Sequence, residues 1–187
     1  MKDVPKVVLK LTAGGSDVLM PALRGGKLDL VLGFFPASAE DIAHEDLATD
    51  EFVVHAAANH RLARLKRVTM EDLARERWAL GPANVPDWQW LHRVFEQSRL
   101  QPRIAMETSA TRLRLEAVAG SDLLGFAPRH LVRQVAERLA LVEIRVKGMA
   151  WPCHLAVRYR KDAYLPPAAL RFIELLKATA KGIAHDS

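Results

Sequence analysis

The chain has 187 residues, 50% of them hydrophobic and 26% charged, with a formal net charge of +5 at pH 7, which is enough apolar material for one packed domain or two small lobes. Its single cysteine, Cys153, excludes an internal disulfide and a cysteine-based zinc cage and suits a reducing compartment. No apolar run approaches the roughly 20 residues that span a bilayer and no secretory core follows the first residues, so a cytoplasmic location is expected; the cations are interspersed with acidic pairs such as Glu40-Asp41 and do not by themselves imply nucleic acid.

Residues 6–11 read as a strand, because Val7, Val8, Leu9 and Leu11 are branched or apolar and Ala13-Gly14-Gly15 breaks the run. Ser16 or Asp17 is placed to cap a helix whose apolar side is Val18, Leu19 and Leu23, and Gly25-Gly26 ends it. Buried strands are expected over 28–33 and 51–57. A polar loop through Asn59-His60-Arg61 then leads to a short helix starting near Thr69, with Asp72 three residues on. From there strands over 77–80, 103–107, 123–127 and 139–146 alternate with helices over 87–98, 109–119 and 128–137. A last strand, 154–160, precedes Leu165-Pro166-Pro167, which opens a helix with Leu170, Ile173 and Leu176 on one face. Strands taking turns with helices give an α/β class with open, mostly parallel sheets covered on both faces, where small ligands bind beyond the carboxyl ends of strands.

Several stretches carry a more specific pattern. They are Val7 to Leu11; Leu23-Arg24-Gly25-Gly26-Lys27-Leu28-Asp29-Leu30-Val31-Leu32-Gly33; His60-Arg61-Leu62-Ala63; Val68-Thr69-Met70-Glu71-Asp72-Leu73; Gly120-Ser121-Asp122-Leu123-Leu124-Gly125-Phe126-Ala127-Pro128; and Leu155 to Arg160 before Leu165-Pro166-Pro167. In this order and spacing, over essentially the whole chain, they resemble the effector-binding (substrate-binding) domain of LysR-type transcription regulators. The resemblance implies a two-lobed fold like that of type II periplasmic binding proteins, each lobe a mixed, mostly parallel sheet flanked by helices. Lobe I would be residues 1–57 plus 158–187 and lobe II residues 58–157, joined by two crossing strands, with the effector in the cleft between them. The family's winged helix-turn-helix and linker helix match nothing in these residues, and neither do the first strand and helix of lobe I. Loss of that interior strand would have to be made good by rearranged pairing or by another chain.

The implied function is the small-molecule sensing and oligomerisation part of a LysR-type regulator. The implied partners are a small organic acid or aromatic effector and further copies of the chain. Neither direct DNA contact nor a membrane is expected, and no cofactor. A transport-type solute-binding protein and an inactive regulator fragment are the alternatives; an enzyme is not expected, because no set of acid, base and nucleophile converges in the sequence.

Effector-binding candidates follow from the strand ends. Thr108-Ser109 stands where a strand passes into a helix, and hydroxyls with free amides there suit a carboxylate, a role the family position favours; the plainer reading makes Ser109 an N-cap. Phe34 or Phe35, after Gly33, could wall an aromatic or aliphatic effector or simply pack in the core. Gly81-Pro82 and Phe126-Ala127-Pro128 end strands of the second lobe, as turn punctuation or as amides close to a ligand. Trp88 and Trp90, near the start of a helix that could overhang the cleft, read with Trp78 and Trp151 as core or surface anchors; Arg112 and Arg114 could bind an acidic effector, but alternating charges on a helix favour a solvated face. No histidine pair has the spacing of a helical metal site, so no metal is assigned. Cys153 and His154, adjacent in a strand, point to opposite faces, which favours a buried structural thiol over a nucleophile.

Overall fold

A computed structural model describes the backbone of residues 7–34 and 40–185. The chain divides into two compact units, Met1–Thr49 with His154–Ser187, and Asp50–Cys153.

The first unit carries α1 (Ser16–Arg24), β1 (Val31–Phe34), the opening of β2 (Ile42–Ala57), most of β7 (Trp151–Arg160) and α6 (Pro167–His185). β1 lies antiparallel to β7, with Val31 opposite Arg158 and Phe34 opposite Leu155. Leu19 and Leu23 of α1 pack on Val31 and Ile42, one helical face meeting two strands. Gly25 caps the helix and Gly26, at φ +71, turns the chain through the left-handed region that favours glycine. The Arg160 guanidinium sits against that turn and donates to the carbonyl oxygens of Leu23 at 2.7 Å and Leu28 at 3.3 Å, placing a cation at the negative end of the helix dipole.

Three expectations fail in this unit. The strand expected as buried over 28–33 is Val31–Phe34, where only Val31 is buried and Leu32 is exposed. The N-cap of α1 is Gly15, without a side-chain cap, and Ser16 is already helical. Residues 7–15 form no regular structure, and Val8 and Leu11 are 83% and 85% exposed. Branched side chains make a segment compatible with a strand, but a strand forms only where a neighbour takes its backbone donors and acceptors.

The second unit contains a 3-10 turn (Arg61–Arg64), α2 (Met70–Arg75), β3 (Arg77–Leu80), α3 (Pro86–Gln97), β4 (Arg103–Glu107), α4 (Thr111–Ala119), β5 (Leu123–Pro128), α5 (Arg129–Leu139) and β6 (Leu141–Glu143). β3 lies between β4 and β5 and is parallel to both, whereas β2 is antiparallel to β5 and β6. The strand order is β1-β7-β2-β5-β3-β4, with β6 on β2; β2 and β7 are the strands that continue across the division between the units. The mixed α/β class expected from the sequence is thus the class observed.

β5 is buried at all six positions, as a strand covered on both faces must be. On one face Val53, Ala79, Leu123 and Ala127 meet Leu115 and Val118 of α4 and Val132 and Val135 of α5. Trp78, beside Ala79, points to the other face, where Phe95 of α3 meets it edge-on at 5.7 Å and its indole N–H donates to the Leu73 carbonyl at 3.1 Å. Burial of a side chain such as Phe95 contributes roughly 1.5–3 kcal/mol. α2 starts on the expected capping box: the Thr69 hydroxyl accepts from the Asp72 amide at 3.3 Å, and the Asp72 carboxylate accepts from the Thr69 amide at 3.0 Å.

Boundaries depart from the sequence reading where polarity misleads. β2 begins nine residues before the expected Glu51, because its alternation of exposed charged and buried residues looks like a polar loop. β6 spans only Leu141–Glu143 of the expected 139–146, and β7 starts at Trp151 rather than His154.

Candidate functional site

Because β3, β4 and β5 are parallel neighbours, their carboxyl ends share one end of the second unit's sheet. Gly81-Pro82 follows β3, Thr108-Ser109 follows β4, and Phe126-Ala127-Pro128 closes β5. The Thr108 amide donates to the Leu80 carbonyl at 3.0 Å and ties two of these turns together.

Gly81 is required by what lies on it. A Cβ there would stand 2.7 Å from Val85 Cγ2 and 2.9 Å from Arg114 Nη1, so only glycine lets the guanidinium rest on the turn. Arg114 is 6% exposed and donates to the Asp87 carboxylate at 3.3 Å and to the Thr111 hydroxyl at 3.1 Å, linking the first turns of α3 and α4. The expectation that Arg114 belongs to a solvated face is therefore overturned, while Arg112 is exposed as expected. In a nine-residue helix of low amphipathicity, the side that faces the sheet cannot be read from charge alternation.

Ser109 is exposed and does not cap α4, whose N-cap is Ala110. The Thr108 hydroxyl instead accepts from the Ala110 amide at 3.3 Å. With no side-chain cap and no acidic residue in the first turn, the leading amides of α4 and the Arg112 charge leave a positive helix end beside the β4 turn.

His55 is the group that the sequence did not single out. Its ring is 1% exposed and packs on Gly125, its partner across β2 and β5, where a Cβ would come within 2.3 Å of Nε2. Neither ring nitrogen has a well-formed hydrogen bond, although a Val53 backbone group acts on the ring. Burial pushes the imidazole down to about 4; the Val53 backbone opposes this and the Arg114 charge adds to it, so His55 stays neutral at physiological pH.

Phe126 and Ala127 are buried. Phe126 stacks on Trp90 at 5.4 Å and approaches Phe52 at 5.5 Å, and Trp151 joins Trp90 at 5.9 Å and Phe52 at 5.2 Å. Trp90 and Trp151 are half-buried, so this cluster of four rings has a partly open aromatic side.

In the first unit, Gly33 pairs with Ala156 and its carbonyl accepts from Arg158 at 3.4 Å, while Phe34 is half-buried opposite Leu155. Phe35 lies outside the described residues. Cys153 is buried, and desolvation first, then the nearby Asp50 and Glu51 charges, push its thiol up to about 12, which leaves no thiolate nucleophile. Among the described residues no group of three or more His, Cys, Asp or Glu side chains could hold a metal ion, and no helix is long and apolar enough to cross a membrane.

The family model for the LysR substrate binding domain matches residues 1–181. The HTH-type transcriptional regulator YwbI of Bacillus subtilis is 28% identical over 184 residues, which are 95% of this chain and 58% of that protein. The chain spans 57–59% of the length of YwbI and two further regulators that match it. The regulatory domain of CcmR from Synechocystis PCC6803, solved in complex with 2-PG, superposes with a TM-score of 0.83 at 16% identity, over 98% of this chain and 88% of that one. The effector-binding domain of QuiR in complex with shikimate superposes with a TM-score of 0.78 at 17% identity, over 98% and 86% of the two chains.

Proposed function

The chain belongs to the LysR substrate-binding domain family, and from that membership we propose that it senses a small-molecule effector within a transcription regulator whose DNA-binding part lies outside these residues. The effector is a small organic acid, bound at the carboxyl ends of β3, β4 and β5. One observation supports that reading above the others: the uncapped start of α4 carries no acidic residue in its first turn, and buried Arg114, locked by Asp87 and Thr111, fixes it against Gly81. Exposed Ser109 and the free first-turn amides of α4 are the donors such an acid would meet. Relatives of the same fold in complex with 2-PG and with shikimate agree with a small-molecule effector.

Sensing further requires that the acid prefer one of two states of the regulator, since a ligand with equal affinity for both shifts nothing. We place the protein in the cytoplasm as a homo-oligomer that performs no catalysis and contacts DNA only through the part outside these residues. The test is thermal denaturation of the 187-residue chain against a panel of small carboxylic acids, shikimate included, with the matching neutral amides as controls. At least one acid should raise the melting temperature in a saturable way while its amide does not. Equal responses to acid and amide, or none across the panel, would refute an acid effector.

A further inference from the structure

We propose that the second unit has a second ligand site, for a small amphipathic acid, in the groove between α5 and the turn that joins β6 to β7. The groove is open to solvent, offers about 500 Å³ and is lined by Val53, Arg129, Arg133, Ile144, Arg145 and Lys147, with Val54, Glu143, Val146, Met149 and Ala150 completing it. That volume lies within the range of small-molecule sites. Arg129 follows Pro128 at the end of β5, but none of the lining residues belongs to the turns after β3 and β4, where Gly81, Thr108 and Ser109 lie.

The charges in the groove do not cancel. Glu143 is occupied by Arg129, whose Nε and Nη2 reach its two oxygens at 2.9 and 3.0 Å, and Arg129 also holds Glu51 at 2.6 Å. Among the described residues Arg133, Arg145 and Lys147 form no ion pair. Three unpaired cations on the rim of one concavity repel each other, and an anion bound among them relieves that repulsion.

The rim is a built turn. The Ile144 amide donates to the Val54 carbonyl at 2.9 Å, extending the β6 pairing, and the Met149 amide donates to the Val146 carbonyl at 3.1 Å. Gly148, at φ +79, closes the turn, while buried Ile144 and Met149 anchor it. Arg145 and Lys147 are thereby held exposed, alternating with the apolar Ile144 and Val146. Half-buried Val146 and exposed Ala150, set over buried Val53, Ile144 and Met149, give the groove an apolar floor beside its cations, which fits a carboxylate or phosphate head on a short hydrocarbon body; concave shape and apolar floor both favour a small molecule over a macromolecular polyanion.

The probe is hexanoate, titrated into the isotope-labelled 187-residue chain and followed by amide and methyl NMR, with hexanol and inorganic phosphate in parallel. Hexanoate should shift the amides of residues 144–147 and the Met149 methyl saturably, with hexanol and phosphate each about tenfold weaker or more. The double variant Arg145→Gln/Lys147→Gln should bind hexanoate about tenfold more weakly at an unchanged melting temperature, since neither side chain has a partner to lose. Arg133→Gln, on a different element, serves as the second variant and should weaken binding several-fold. Hexanoate that leaves residues 144–147 unmoved, binds both variants as it binds the parent, or is matched by hexanol overturns the site. Phosphate binding as tightly as hexanoate overturns the role of the apolar floor.

Discussion

Replacing Gly125 with alanine tests how the polar interior of the second unit is built. The new Cβ would lie 2.3 Å from His55 Nε2, 2.4 Å from His55 Cε1 and 3.1 Å from Val118 Cγ2, against roughly 3.5–4.0 Å for carbon atoms in contact. The ring must therefore move by more than about 1 Å, yet His55 and Val118, the two side chains the new methyl would meet, are both buried. Overpacking of this kind costs about 1–3 kcal/mol, and the depth of the overlap puts Gly125→Ala in the upper half, about 2–3 kcal/mol. In a chain of this size that lowers the melting temperature by roughly 4–12 °C. The assay is urea and thermal denaturation of the parent, Gly125→Ala, His55→Ala and the double variant. His55→Ala opens a space that the methyl introduced by Gly125→Ala partly fills, so the double variant should be more stable than the sum of the single changes by about 1 kcal/mol or more. A neutral Gly125→Ala, or strict additivity, would refute the contact.

Three further outcomes follow from the same geometry. His55 has a folded-state value of about 4 against an ordinary 6.5, so folding favours its neutral form. The stability it contributes is complete above pH 6.5 and declines as the pH falls from there to about 4, by about 2 kcal/mol at pH 5; urea midpoints at pH 7 and 5 should separate in the parent and converge in His55→Ala. Arg114→Leu strands the buried Asp87 carboxylate and should cost about 3 kcal/mol in urea denaturation, most of it recovered in Arg114→Leu/Asp87→Leu. Ser109→Ala removes no cap and should leave the melting temperature nearly unchanged, while calorimetry shows several-fold weaker binding of the acid that the panel identifies.

Much of the second unit was legible because its local chemistry agrees with its packing. Thr69 and Asp72 announce α2 through reciprocal bonds that need no tertiary partner, and the apolar runs of β3 and β5 belong to strands covered on both faces. Gly81, Thr108 and Phe126 were legible as strand ends, and parallel pairing then gathers those ends together. What escaped the reading depends on three-dimensional neighbours. Arg114 looks solvated until Gly81 and Asp87 are set beside it, and His55 reads as one polar residue in an apolar strand until Gly125 is found opposite. Residues 7–11 have strand-forming side chains without the neighbour that makes a strand, whereas residues 42–50 form the opening of β2 behind a polar alternation. Ser109 has the chemistry of a cap and stands one residue before the capping position, which Ala110 takes.

The most direct test of the sensing site is amide NMR of the 187-residue chain, saturated with the acid that stabilises it best in the thermal panel. The largest shifts should fall on Gly81, Thr108, Ser109 and Thr111. If those four amides stay in place while the acid binds, the effector site is not at the carboxyl ends of β3, β4 and β5.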